Sequence, residues 1–266
     1  MKLEVEARKT VGKVLNKKEK ILVALSGGKD STVCAYLLKK FGYEIEAIHI
    51  DLGMGNYSKK CLGAVVKLCK DLEIGLHLYD VKKEMGSSMC YLRSSIQQKK
   101  GLKNCAICGV IKKWILNKEA RKLKVSKIVT GHHLDDEAQT FLLNFLKGSL
   151  QLSASTGVIT RNISDKKFIP RVKPLFYVLE KDILKYSKEK KLPVVYEKCP
   201  CAIDSYRIQV REFMKSLSSK DKENIIKNFE RVFPKLEKMK SQKINYCSVC
   251  GEPSMREICR VCELMR

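Results

Sequence analysis

The chain has 266 residues, with 53 basic against 29 acidic side chains, a net charge of +24 and a pI near 9.5. At 44% hydrophobic and 7% aromatic residues, about 117 side chains can build a core, which suits one α/β domain or one domain with a small appendage. No apolar run approaches the ~18–20 residues of a membrane span, Met1–Lys20 has no apolar signal segment and aliphatics are too frequent for intrinsic disorder, so a soluble cytoplasmic protein is expected.

In chain order, Leu3 to Leu15 reads as a helix, and Ile21–Leu25 as a buried parallel strand bounded by Ser26-Gly27-Gly28. Ser31 opens a helix that ends near Gly42. Ile45–Ile50 is a second strand ending at Asp51-Leu52-Gly53, Ser58–Leu72 a helix, and Leu76–Tyr79 a third strand. After a basic stretch, Val110–Lys124 is helical and Lys127–Thr130 is a strand running into Gly131. Leu134–Lys147 is a helix with Asp135, Asp136 and Glu137 in its first turn, where the dipole favours carboxylates. Phe168–Lys173 reads as a turn-rich connection, Val178–Lys190 as a helix, Pro193–Tyr196 as a late edge strand, and Ser205–Lys240 as helical, broken at Pro234.

Repeated strand–helix alternation predicts an α/β fold, a doubly wound parallel sheet with helices on both faces. The expected organisation is an N-terminal helix (1–19), a central α/β domain (20–200), a helical extension (201–243) and a small cysteine-rich ribbon (244–266).

The charge and the cysteines are the anomalies. Between Lys82 and Lys124 there are twelve Lys/Arg against Glu84 and Glu119, a net of +10. Lysine-rich faces of heat-adapted proteins are usually balanced by Glu, and this one is not, so a nucleic-acid partner is expected. Twelve cysteines without a secretory signal point to metal or redox chemistry rather than a disulfide framework.

Ser26-Gly27-Gly28-Lys29-Asp30-Ser31 lies between the first strand and the next helix. Two glycines let backbone N–H groups close around an anion, and the helix adds its N-terminal donors and dipole. The serines offer hydroxyls, Lys29 a charge, and Asp30 a carboxylate for Mg²⁺. An ordinary tight turn is the bland alternative; six residues of this composition in a strand–helix context favour phosphate. The run resembles the SGGxDS pyrophosphate loop of the N-type ATP pyrophosphatases, and lacks the spacing of a Walker A loop. The resemblance implies ATP cleavage between the α- and β-phosphates, with Asp51 on the same sheet edge. Gly131-His132-His133-Leu134-Asp135-Asp136 is similar to that family's GHNxDD segment, with His133 in the Asn place. By themselves, His132 and His133 read as polar loop residues.

Cys105-Ala106-Ile107-Cys108 sits at the start of the basic helix, where thiols favour metal binding or redox work. Cys199 and Cys201, in Cys199-Pro200-Cys201, are the candidate partners. Three cysteines on a [4Fe-4S] cluster leave one iron open, and four close it; a persulfide and disulfide relay is a further option. Cys247-x2-Cys250-x8-Cys259-x2-Cys262 has the layout of a structural four-thiolate zinc site. Cys34, Cys61, Cys69 and Cys90, with Met85 and Met89, read as packing.

With Lys112 four residues after Cys108 and the later Cys-Pro, these motifs resemble the tRNA 2-thiouridine synthetase family over nearly the whole chain. The resemblance implies a [4Fe-4S] cluster on Cys105, Cys108 and Cys199, with an aromatic residue in relatives where Cys201 stands here. It implies ATP-dependent adenylation of a uridine C2 oxygen and transfer of cluster-bound sulfide, giving 2-thiouridine, AMP and pyrophosphate. Ser26 to Ser31, Asp51, Gly131 and Asp135 would bind the nucleotide. Asp30, Lys112 and Asp136 would be catalytic, and ATP, Mg²⁺, the cluster and Zn²⁺ the cofactors. tRNA and a sulfur donor (a ubiquitin-like thiocarboxylate carrier or free sulfide) would be partners, with a homodimer as working unit and no membrane contact. Relatives usually begin with a second zinc finger, and this sequence starts at the helix that follows it. Two rivals are another ATP pyrophosphatase, of lysidine or amide-forming type with zinc in the central cysteine site, and a non-enzymatic RNA-binding module.

Overall fold

The computed structural model describes residues 2–160, 165–201, 206–238 and 244–266. Ser205, Met239 and Lys240, expected within the last charged helical stretch, lie outside them.

The chain runs α1 (Lys2–Gly12), β1 (Ile21–Ala24), α2 (Lys29–Lys40), β2 (Ile45–Asp51), α3 (Asn56–Asp71), β3 (Gly75–Asp80), α4 (Val81–Met85), α5 (Met89–Lys100), α6 (Asn104–Lys122), β4 (Lys127–Val129) and α7 (Leu134–Leu146). A 3-10 turn (Leu150–Ser155), β5 (Ile159–Thr160), β6 (Arg171–Val172), α8 (Glu180–Glu189), α9 (Tyr206–Ser216) and α10 (Ser219–Lys238) follow. The small β7 (Asn245–Tyr246), β8 (Pro253–Ser254) and α11 (Arg260–Met265) end it.

The main sheet has the order β3-β2-β1-β4-β6-β5, parallel except for β5. Central β1 is apolar on both faces because both are covered. Ile21 and Val23 pack into one cluster with α1, α2 and α8, and Leu22 into another with Ile48, Ala120 and Ile128. The chain turns one way from β1 to β2 and the other way to β4, so the ligand crevice opens at the carboxyl end of β1. Ile107, Ile111 and Ile115 make a buried stripe along α6 at i, i+4 and i+8, holding it to α4 and α5. No helix among the described residues is long and apolar enough to cross a membrane.

Four local expectations are corrected. Pro193–Tyr196 is not a strand: Val195 instead donates its N–H to the Gly27 carbonyl at 2.9 Å, outside any ladder. Phe168–Lys173 contains β6, parallel to β4, because a two-residue strand after Pro170 leaves no periodic signal. The basic stretch before α6 folds as α4 and α5. Helix α10 continues through Pro234.

Candidate active site

The phosphate loop leaves β1 and closes on itself through its serines. Ser31 Oγ accepts from the Ser26 N–H at 3.1 Å and donates to the Gly28 carbonyl at 3.2 Å; Ser26 Oγ accepts from the Gly28 N–H at 3.4 Å. Gly28 is the N-cap of α2 and brings no side chain to the donors of the first turn. Two glycines are required by geometry. Gly27 has φ +83°, and a Cβ there would lie 2.9 Å from Cys61 Cα and O. A Cβ on Gly131 would lie 2.6 Å from the Asp30 carbonyl carbon and the Ser31 nitrogen, so only glycine lets this second loop touch the start of α2.

That contact gathers three carboxylates around one imidazole. His133, expected as a polar loop residue, is 3% exposed. Its Nε2 lies 3.3 Å from Asp136 Oδ2 and 3.8 Å from Asp30 Oδ1, and its Nδ1 lies 3.7 Å from Asp135 Oδ2. Burial raises the Asp30 carboxyl above the ordinary aspartate range, against the pull of His133 and Lys29. Burial also works against the Lys29 charge, yet Asp30 and Glu180 (Nζ to Oε1, 2.8 Å) hold its pKa above the usual lysine value. Asp30 Oδ1 and His133 Nδ1 are both buried without a hydrogen-bond partner. Asp30 Oδ1 is ion-paired with Lys29 Nζ at 3.1 Å and lies close to the Asp136 carboxylate, a pair of carboxylates that fits a divalent cation.

Asp135 and Asp136 have different surroundings. Asp135 accepts from the Glu180 N–H at 2.8 Å and pairs with Lys222 at 2.9 Å, tying α7 to α8 and α10. Asp136 turns toward His133 and Asp30. His132 is open to solvent on one side and bonds to Thr130 Oγ1 at 2.9 Å; packing around the ring lowers its pKa. Asp51 ends β2 on the same sheet edge and accepts from the Gly53 N–H at 2.9 Å.

The late cysteine segment returns to the phosphate loop. After Val195 crosses the phosphate loop, the chain reaches Cys199. Its charge adds to the burial that raises Cys61, whose backbone touches Gly27. Cys105 and Cys108 occupy the first turn of α6, exposed and half-buried, with half-buried Lys112 one turn further on. Arg93 is a buried guanidinium whose Nη2 donates to Cys90 Sγ at 3.4 Å, with Cys201 and Cys108 also contributing to its electrostatic surroundings. Cys90, expected as packing, is half-buried, its sulfur 3.8 Å from Cys201 Sγ. Cys34, Cys61 and Cys69 are buried.

Among the described residues, one set of Cys, His or carboxylate ligand atoms lies mutually within 4.8 Å: Cys247, Cys250, Cys259 and Cys262. Four thiolates on one tetrahedral ion at about 2.3 Å stand roughly 3.8 Å apart, and Cys250 Sγ lies 3.6 Å from Cys259 Sγ. Burial opposes the Cys247 thiolate, but N–H groups of Cys259, Cys250 and Val249 bring it down to about 6. The cage therefore fits a single ion. It docks on α6 through buried Glu252, which accepts from both Arg121 guanidinium nitrogens and from Asn117, while Val110 and Trp114 pack against Cys247 and Cys259.

Residues 1–217 match the model of the PP-loop domain family. The tRNA-5-methyluridine(54) 2-sulfurtransferase of Pyrococcus horikoshii is 36% identical over 256 residues, covering 94% of this chain and 80% of that protein. The cytoplasmic tRNA 2-thiolation protein 1 of Caenorhabditis elegans is 32% identical, with 95% and 69% covered. The solved U34-tRNA thiolase NcsA of Methanococcus maripaludis, which carries a [4Fe-4S] cluster, superimposes with a TM-score of 0.83 at 29% identity, covering 99% of this chain and 86% of that one. With the phosphate loop at the carboxyl edge of β1 and the cysteine-bearing segment crossing it, the chain belongs to the PP-loop family of tRNA 2-thiolation proteins.

Proposed function

We propose that the protein thiolates a tRNA uridine at C2 in an ATP-dependent reaction. The observation that carries this reading is the crossing of Val195 over Gly27, which brings the Cys199 segment to the phosphate loop. A uridine carbonyl is a poor electrophile, so its oxygen must become a leaving group. The uncapped first turn of α2 and residues Ser26–Ser31 bind the phosphates in line with that oxygen. Asp30 and Asp136 hold Mg²⁺, which, when bound, neutralises charge building on pyrophosphate. Lys29, fixed by Asp30 and Glu180, adds positive charge at the same end. Lys112 projects from α6 as a cation for the α-phosphate or the developing oxyanion.

Cys105, Cys108 and Cys199 hold the [4Fe-4S] cluster. The cluster, when bound, supplies an iron at which inorganic sulfide can be presented. Displacement at C2 breaks the bond to the adenylated oxygen, and AMP leaves with it. Cys247, Cys250, Cys259 and Cys262 hold a structural Zn²⁺ that braces α6. The exposed lysines of α4 and α5, with Lys103, receive the tRNA backbone, and the target base must leave its stack to reach the crevice. The sulfur donor is a ubiquitin-like thiocarboxylate carrier or free sulfide, and the working unit a homodimer.

Nucleoside mass spectrometry of tRNA from a strain lacking the gene tests the reading: one 2-thionucleoside disappears. An unchanged thionucleoside profile would overturn it. Iron and labile sulfide in anaerobically purified protein separate it from a PP-loop enzyme carrying zinc at the central cysteines.

A further inference from the structure

Among the described residues, four Lys or Arg side chains pair with the carboxylates in the first turns of α7 and α8, and three of them are held close. Lys29 Nζ lies 2.8 Å from Glu180 Oε1, Lys222 Nζ 2.9 Å from Asp135 Oδ1, and Lys173 Nζ 2.8 Å from Glu137 Oε1. Arg211 differs. Its side chain, carried by α9, is 52% exposed, and its Nη2 stands 3.9 Å from Asp136 Oδ1, beyond hydrogen-bond range. A guanidinium so placed keeps its N–H donors available to a ligand. Its backbone, by contrast, is anchored. Val210 beside it and Met214 further along α9 are buried in one cluster with Leu134 and Ala138 of α7. From that seat Arg211 is linked to the phosphate loop through Asp136. The other oxygen of Asp136 lies 3.3 Å from His133 Nε2, which is 3.8 Å from Asp30 Oδ1. Burial opposes the Glu180 charge, Lys29 outweighs it, and Arg211 adds to the pull that keeps this carboxyl below its ordinary range.

We propose that Arg211 is a phosphate-binding residue whose guanidinium moves from Asp136 onto the pyrophosphate end of ATP, closing the helical extension on the nucleotide. The inference deepens the ATP-dependent reading above and rests on it. A planar fork of N–H donors matches two phosphate oxygens at once. Residues Ser26–Ser31 offer backbone N–H groups and the compact charge of Lys29, but no such fork. The three lysines are committed to carboxylates at 2.8 to 2.9 Å, so Arg211 is the cation that gives up least when an anion arrives. The two terminal phosphates carry most of the charge of ATP and leave together, whereas the α-phosphate stays with AMP. The contact therefore acts on the leaving group.

The test measures binding of pyrophosphate, ATP and AMP to the full chain by calorimetry, with Mg²⁺ held constant. Arg211→Gln should bind pyrophosphate and ATP roughly tenfold or more weakly than wild type. Its AMP affinity and melting temperature should not change. Arg211→Lys keeps the charge without the fork and should fall between the two. Pyrophosphate should also slow hydrogen exchange along α9 in wild type and leave it unaltered in Arg211→Gln. Wild-type pyrophosphate affinity in Arg211→Gln would overturn the proposal. An equal loss for AMP and ATP, or a loss confined to tRNA binding, would overturn it too. A wild type that binds neither pyrophosphate nor ATP would overturn the ATP-dependent reading and the proposal with it. An Arg211-dependent pyrophosphate site in a protein whose loss changes no thionucleoside would support the proposal and count against thiolation.

Discussion

The backbone N–H of Val195 donates to the carbonyl of Gly27 at 2.9 Å, binding the approach to Cys199 to the loop expected to hold ATP. Gly27 in turn lies against the backbone of Cys61. The phosphate loop is therefore a junction among β1, α3 and the late cysteine segment, and its conformation sets the spacing between nucleotide and sulfur.

Gly27→Ala should disturb that junction. The new Cβ requires φ near +83° and meets Cys61 Cα and O at 2.9 Å, and these backbone atoms cannot swing away. A loss of about 2 kcal/mol or more is expected, combining left-handed strain with the clash. Thermal unfolding and ATP-binding calorimetry check it; an unchanged melting temperature with normal ATP affinity would show that the contact is slack.

Asp30→Asn should separate stability from activity. Because the folded-state pKa of Asp30 is raised, the folded protein keeps its proton over an interval in which the unfolded chain has lost it. Stability contributed by this group therefore falls as pH rises through that interval. Without Mg²⁺, Asp30→Asn should melt higher than wild type at neutral pH, the difference closing as pH falls to about 4. Activity should drop at least about 10²-fold. A variant less stable by the same amount at every pH would contradict this assignment.

Glu252→Gln should loosen the C-terminal ribbon from α6. Glu252 is 6% exposed and accepts from Arg121 and Asn117. Losing its charge leaves Arg121 under-compensated, at about 2 kcal/mol. Hydrogen exchange should speed up along α6, including the turn that carries Cys105 and Cys108, and a zinc chelator should act in the same direction. Faster exchange confined to the ribbon would mean that α6 is held without it.

tRNA binding should depend steeply on salt. A local net charge of +10 that neutralises several phosphates gives a fall of roughly 10³-fold or more between about 50 and 200 mM salt. Lys99 and Lys103 are exposed, and replacing each with Gln should lower the log–log slope by about one. Filter binding across a salt series measures it; unaltered slopes would move the tRNA to another face.

The sequence made the sheet legible where strands are long and covered on both faces. Ile21–Leu25 and Ile45–Ile50 are apolar runs with turn residues behind them, and the structure places them side by side at the centre. It failed where pairing is short or absent. Arg171–Val172 is too brief for periodicity, and Pro193–Tyr196 has strand-like residues whose one bond to the phosphate loop belongs to no ladder. The C-terminal thiolate cage was readable because its ligands lie within one short segment. His133 and Cys90 were not, since their surroundings come from partners brought close by folding. For His133 the available signal was its place where related loops carry Asn.

The most direct test is nucleoside mass spectrometry of tRNA incubated anaerobically with cluster-reconstituted protein, ATP, Mg²⁺ and sulfide, in wild type and in Cys199→Ala. Wild type should form 2-thiouridine together with AMP, whereas Cys199→Ala should form none while still binding ATP. Thiolation at the wild-type level in Cys199→Ala would contradict a cleft in which that thiol and the glycine loop work together.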